Sequence, residues 1–240
     1  MASAQRIRPR EAWHAIRALV ANPDDTSQAF RVIGALSGNS GERLLRRFRR
    51  SPQGRALLRR KPRLGEVLSD VRRLQALPQG SLGRALGDFF AGEQIDSAGL
   101  AAASRDAYGE RAPAETSDDL LWLMERLRDQ HDLMHVLTGY GRDLRGEAAV
   151  LAFTSMQSRN PGVAFIPLYA LWRAGVRSEL GRLVRQGFRR GRRARWLLDV
   201  DWEAELETPL DTLRERLRLG EPPRYEPVRS EGAPPLPQRA

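Results

Sequence analysis

Residues 120–147 read LLWLMERLRDQHDLMHVLTGYGRDLRGE, and their periodicity sets how the rest of the chain is read. Leu120, Leu123, Met124, Leu127, Leu133, Met134 and Leu137 recur at intervals of three and four, the repeat of a helix with one apolar face. In front of them, Thr116, Ser117, Asp118 and Asp119 offer side-chain oxygens that can cap a helix start. Residues 139–143 contain two glycines and read as a turn, after which residues 144–157 resume the helical pattern. The expectation is one long helix to about Thr138, folded back on a second, antiparallel helix.

Polar residues break the apolar text of this pair in one place. His131-Asp132-Leu133-Met134-His135 puts two imidazoles one turn apart, separated by roughly 6 Å of axial rise. Asp132 falls within an arc of about 100° of them. Glu147 follows His135 after eleven intervening residues, and a reversal at 139–143 carries it back opposite His135. Two histidines with up to two carboxylates form a ligand set suited to zinc or non-haem iron. Burying four titratable groups between helices without a cation would be costly. A hydrolase of the HExxH kind is the alternative on spacing alone. Asp at the second position argues against it, being one methylene shorter and reaching a metal-bound water less easily.

The same 3–4 periodicity runs through most of the 240 residues, and no alternating strand pattern accompanies it. Helices are expected at residues 10–22, 26–36, 44–50, 57–60, 64–74 and 82–90, with a short segment at 95–103 and a loop at 108–114. A continuous helix over 165–183 and a last one through Leu213 follow. The fold class is therefore all-α, a single-domain helical bundle over residues 8–222. A Pro-rich tail, 223–240, is expected to be disordered or loosely attached.

Composition narrows the function classes. Apolar residues make up 41% and charged residues 29%, which fits a globular domain. No apolar run is long enough to span a bilayer, and residues 1–10 lack the apolar core of a secretory signal. The absence of cysteine removes disulfides, thiolate nucleophiles and Cys-ligated zinc. A cytoplasmic location is the expectation. The net charge of +10, carried by arginine with Lys61 as the single lysine, favours an anionic surface as a partner. Arginines cluster at 43–50 around Phe48, and Arg189, Arg190, Arg192 and Arg193 cluster beside Phe188. With Phe165, Ile166, Tyr169 and Trp172, the second cluster is a candidate lipid or membrane contact. Nucleic acid is not expected as a partner, since no recognised binding motif accompanies the charge.

The metal-site text resembles the HDxxH, eleven residues, E motif of the Coq four family of ubiquinone (coenzyme Q) biosynthesis proteins. The resemblance extends to the approach from Leu120 to Gln130, to Leu137-Thr138-Gly139 and to Gly146-Glu147. It continues in Gly191-Arg192-Arg193-Ala194-Arg195, Asp201-Trp202-Glu203 and Leu213-Arg214-Glu215, and is clearest over residues 108–225. Residues 139–143 depart from it, being more charged and glycine-rich. The resemblance implies a divalent metal, zinc first and ferrous iron as the alternative, held by His131, Asp132, His135 and Glu147. It implies a peripheral protein on the inner face of the cell membrane, acting on a polyprenylated hydroxybenzoate-derived ring. The implied activity is oxidative decarboxylation, with hydroxyl replacing the C1 carboxylate; the alternative is a lipid-binding scaffold for the other ubiquinone biosynthesis enzymes. A homodimer stays open.

Overall fold

The computed structural model describes residues 6–93 and 116–229. Within them every regular element is a helix. In chain order these are α1 (Pro9–Ala21), α2 (Thr26–Leu36), α3 (Ser40–Arg50), α4 (Pro52–Arg60), α5 (Leu64–Ser69), α6 (Val71–Gln75), α7 (Leu82–Glu93), α8 (Asp118–Thr138), α9 (Leu144–Ser158), α10 (Pro161–Ala174), α11 (Glu179–Arg193), a 3-10 turn (Trp202–Glu205) and α12 (Leu210–Arg216). The segment expected at 95–103 and the loop at 108–114 lie outside the described residues.

The ends of α8 and α9 follow from their sequence. The Ser117 hydroxyl accepts from the Leu120 N–H, satisfying one of the free donors of the first turn. Gly139 closes α8 at φ 75°, the left-handed geometry that glycine adopts without penalty. Asp143 then caps α9 by accepting from the N–H groups of Arg145 and Gly146. Two caps thus bracket a reversal of five residues.

Two expected helices are interrupted. The stretch 64–74 breaks at Asp70, whose side chain accepts from the Arg73 N–H and starts α6. The stretch 165–183 breaks after Ala174, because Gly175 leaves helical geometry and Ser178 caps α11 on the Gly181 N–H. In both places a local cap overrides a pattern that reads through on hydrophobicity alone.

The main core joins α7 through Leu82, Leu86 and Phe90, α8 through Leu133, Met134 and Leu137, and α9 through Ala149, Val150 and Phe153. Leu183, Leu197, Trp202 and Leu213 complete it. α9 lies tight against α11. A side chain added at Gly187 or Gly191 would strike the carbonyl oxygens of Ala149 and Phe153 at 2.3 and 2.4 Å. Residues 194–200 wedge between the far ends of α8 and α9, where Gln130 donates to the Leu198 carbonyl and Gln157 bonds the Leu197 N–H. A second cluster packs Phe48 edge-on against Trp122 and Trp196, at 6.0 Å in each case.

Arg126, 1% exposed, is held in this interior by a two-pronged pair with Glu203, at 2.7 and 2.8 Å, and by the Val200 carbonyl. That pairing fixes the face of α8 that carries the histidines. Residues 223–229, assigned above to the tail, lie on the α8–α9 turn. Tyr225 donates to Asp143 and accepts from the Gly141 N–H, the Leu144 N–H donates to the Val228 carbonyl, and Arg229 pairs with Glu93.

Candidate metal centre

His131 and His135 project from the same face of α8, and Glu147 reaches them from the first turn of α9. The Nε2 atoms of the histidines lie 3.2 Å apart. Glu147 places one oxygen 3.3 Å from His131 Nε2 and the other 3.4 Å from His135 Nε2. Metal–nitrogen and metal–oxygen bonds of roughly 2.1 Å in tetrahedral array put neighbouring ligand atoms about 3.4 Å apart. The imidazole pair, and each imidazole with the Glu147 oxygen nearest it, are spaced near that edge, the two rings facing different oxygens of one carboxylate. These groups can therefore hold a metal ion.

A ligating imidazole must present a lone pair, and the structure fixes which nitrogen does so. Tyr140 offers its carbonyl oxygen 3.0 Å from His135 Nδ1; because a carbonyl only accepts, Nδ1 carries the hydrogen. Nε2 is left for the metal. The ring of Phe89 lies nearly parallel to that of His135, at 5.9 Å and 22°. His135 is wholly buried, whereas the side chains of His131 and Glu147 keep 25% and 32% of their exposure. Access is from the His131–Glu147 side.

Burial works against charge on both His135 and Glu147, but their mutual attraction outweighs it. Glu147, aided by Asp132 and the bond to Tyr140, raises the pKa of His135 above its ordinary value. His135 and His131 together hold the Glu147 carboxyl well below the usual carboxylate range. The carboxylate is ionised before any cation arrives.

Asp132 is buried beside the pair but stands outside the cluster of three whose ligand atoms lie within 4.8 Å of one another. It follows His131 by one residue, about 100° around the helix, so it leaves the seam that His131 and His135 share. Its contribution here is charge, felt at His135.

The lipid and membrane candidates divide. Trp172 is 70% exposed and Tyr169 and Phe165 are half-buried, with Tyr169 edge-on to Trp13 at 5.9 Å and tilted against Trp172 at 5.6 Å. Ile166 instead packs inside against Ile16 and Val32. Arg189, Arg192 and Arg193 are exposed. Arg190 is not a surface residue: it is buried, its guanidinium donates to the carbonyls of Leu219 and Gly220, and it lies 5.0 Å over the Tyr140 ring. Phe48 is likewise wholly buried and unable to dock on a surface. Among the described residues, no helix is long and apolar enough to cross a membrane.

Sequence reasoning missed Tyr140, Phe89 and Arg142, and placed Arg190 at a lipid or membrane contact although it is buried. Arg142 sets its Nε 3.9 Å from Glu147. Tyr140 and Arg142 are in the turn already recognised, but a backbone carbonyl leaves no mark in side-chain text.

The sequence profile described as "Coenzyme Q (ubiquinone) biosynthesis protein Coq4" matches residues 11–223. The chain is 31% identical over 198 residues to the mitochondrial COQ4 homologue of Bos taurus, covering 80% of this chain and 71% of that protein. The human homologue is 31% identical over 200 residues, covering 81% and 71%. A solved structure from Nostoc punctiforme PCC 73102, described as a ubiquinone biosynthesis protein, shares the fold with a TM-score of 0.60 at 19% identity, over 90% of this chain and all of that one. This chain, a helical protein with a two-histidine, one-glutamate cluster formed across its α8–α9 reversal, belongs to the Coq4 family of ubiquinone biosynthesis proteins.

Proposed function

We propose that the chain is a zinc-dependent enzyme that replaces the C1 carboxylate of a polyprenylated, hydroxybenzoate-derived ring by hydroxyl, at the inner face of the cell membrane. The observation that carries this reading is the convergence of two imidazole nitrogens and one carboxylate within 4.8 Å of one another, with the His131–Glu147 side exposed. Three protein ligands with a free position are the pattern of catalytic zinc, whereas structural zinc is closed by four.

His131, His135 and Glu147 would hold the cation, the Tyr140 carbonyl would keep His135 in the ligating tautomer, and Phe89 would shield its ring from water. Bound zinc supplies Lewis-acid chemistry, lowering the pKa of a coordinated ring hydroxyl and making the ring electron-rich. The exchange removes two electrons, and dioxygen is the acceptor this reading needs, because zinc has no accessible second oxidation state. Ferrous iron suits the same ligand set and would carry the oxidation directly.

Membrane association is supported by the exposed aromatic face of Trp13, Tyr169 and Trp172, with Arg173 and Arg177 exposed beside it. That face also favours a second reading, a scaffold that gathers other enzymes of ubiquinone biosynthesis. One experiment separates the two. Cells lacking the protein are complemented with wild type or with His131→Ala/His135→Ala, and their lipids are analysed by mass spectrometry. The enzyme reading expects a carboxylated precursor to accumulate and the double variant to fail although it folds. Full rescue by that variant rejects it in favour of the scaffold.

A further inference from the structure

Arg142 occupies the turn between α8 and α9, two residues beyond the carbonyl that orients His135. Its side chain is 31% exposed, and its one ion pair is with Glu147, at 3.9 Å, longer than a hydrogen bond. Among the described residues its guanidinium makes no hydrogen bond to the chain, unlike Arg126, Arg190 and Arg214, each of which donates to backbone carbonyls. Five N–H donors therefore stand beside the one carboxylate that already serves two imidazoles.

With a divalent cation in place, the balance of charge around Arg142 changes. Glu147 is then committed to the cation, and its single negative charge does not cancel the two positive ones. Asp132, the other carboxylate that acts on His135, lies outside the ligand cluster. The accessible side of the site, between His131 and Glu147, is then electropositive, with the Arg142 fork at its edge. A planar guanidinium of this kind matches a carboxylate through paired N–H bonds.

We infer that Arg142 is the substrate-anion recognition residue of this site, binding the carboxylate of an aromatic acid whose ring oxygen reaches the metal. The inference rests on the metal reading above and adds the residue that selects an acid over a neutral ring. Arg142 is a binding residue here, and no bond is made or broken at it.

The test uses the full chain loaded with zinc, with 4-hydroxybenzoate as the probe and its methyl ester as the neutral control, followed by titration calorimetry. Zinc content is measured first, on wild type, Arg142→Gln and Arg142→Lys, and is expected to be equal in all three. Wild type should bind the acid more tightly than the ester. Arg142→Gln should weaken the acid by about tenfold to a hundredfold, the worth of a charge-assisted hydrogen bond, and leave the ester unchanged. Arg142→Lys should fall between, since an ammonium keeps the charge but loses the fork. Equal acid binding by wild type and Arg142→Gln overturns the inference while the zinc site stands, as does failure of zinc-loaded wild type to bind the acid. Absence of zinc from wild type sinks the metal reading itself, and that result is seen before any probe is added.

Discussion

The Nδ1 nitrogen of His135 donates to the carbonyl oxygen of Tyr140, 3.0 Å away and five residues further along the chain. This bond ties the last turn of α8 to the reversal that delivers Glu147. Tyr140 is itself anchored, buried beneath the Arg190 guanidinium and donating its hydroxyl to Gln186 at 3.3 Å. The candidate metal site is thus supported from α11, a helix that contributes none of the three clustered side chains.

Proton competition should govern zinc binding. The pKa of His135 is raised and that of Glu147 is held well below its ordinary value, so the empty site keeps its imidazole proton to higher pH than a free histidine does. Zinc must expel it. Affinity should rise with pH through the raised His135 value, and calorimetry in buffers of different ionisation enthalpy should record proton release. For the empty protein the signs run differently. The Glu147 contribution to stability is complete above its ordinary value of 4.5, and the His135 contribution is complete below 6.5. Thermal stability from this pair should therefore be greatest between those values and fall on either side. A zinc affinity independent of pH across this range would falsify the arrangement.

Arg126 and Glu203 should behave as a buried unit. Glu203→Ala leaves a guanidinium that is 1% exposed without its counter-charge, and should cost about 3 kcal/mol or more of stability. The double replacement Arg126→Met/Glu203→Leu should recover much of that loss, because no uncompensated charge remains. Denaturant unfolding of the three variants checks both statements. A single-variant loss below about 1 kcal/mol, the scale of an exposed pair, would contradict the burial.

Local signals were readable without the structure. Ser117 announced the start of α8, Gly139 its end, and the four-residue step from His131 to His135 placed both rings on one seam. Glu147 could be added because a five-residue reversal has little freedom of length. What stayed hidden depends on contacts between distant parts of the chain. Arg190 sits in an arginine-rich run that reads as a lipid or membrane contact, yet the backbone carbonyls of Leu219 and Gly220 draw it inside. The text of residues 165–183 reads as one helix because hydrophobic spacing alone does not register the break at Gly175 or the Ser178 cap. Asp132 illustrates a different limit: a shared arc of about 100° and the motif placed it in the ligand set, while the cluster that converges is His131, His135 and Glu147.

The exposed aromatic face gives a prediction for membranes. Trp172 is 70% exposed and Leu168 48%, on a helix whose inner face is already satisfied by Ile166. Trp172→Ser with Leu168→Ser should leave thermal stability within about 0.5 kcal/mol of wild type, as for surface changes elsewhere. The pair should nevertheless reduce co-sedimentation with vesicles containing anionic lipid. Unchanged sedimentation would remove this face from the membrane reading and return attention to Arg189, Arg192 and Arg193.

The chain after α12 has a defined task that its proline content conceals. The Tyr225 hydroxyl accepts from the Gly141 N–H at 2.8 Å and donates to Asp143 at 2.6 Å, so one side chain grips the middle and the end of the reversal that carries the Tyr140 carbonyl. Burial and the neighbouring Asp143 carboxylate raise its pKa far above the ordinary phenol value, so it remains a neutral donor at physiological pH. Tyr225→Phe keeps the ring but loses both bonds, one of them to a charged group, and should cost about 1–3 kcal/mol. Because Asp143 also caps α9, the first turn of that helix loosens, and Glu147 with it. Zinc affinity should therefore fall in Tyr225→Phe even at temperatures where the protein is fully folded. In Arg8→Ala, which removes an exposed pair with Glu11 in the first turn of α1, zinc affinity should hold. Amide exchange at Gly141 and Gly146 should quicken in the first variant alone. Equal zinc affinity in wild type and Tyr225→Phe would mean that the turn keeps its shape without the strap, and that caps within α8 and α9 suffice to hold the site.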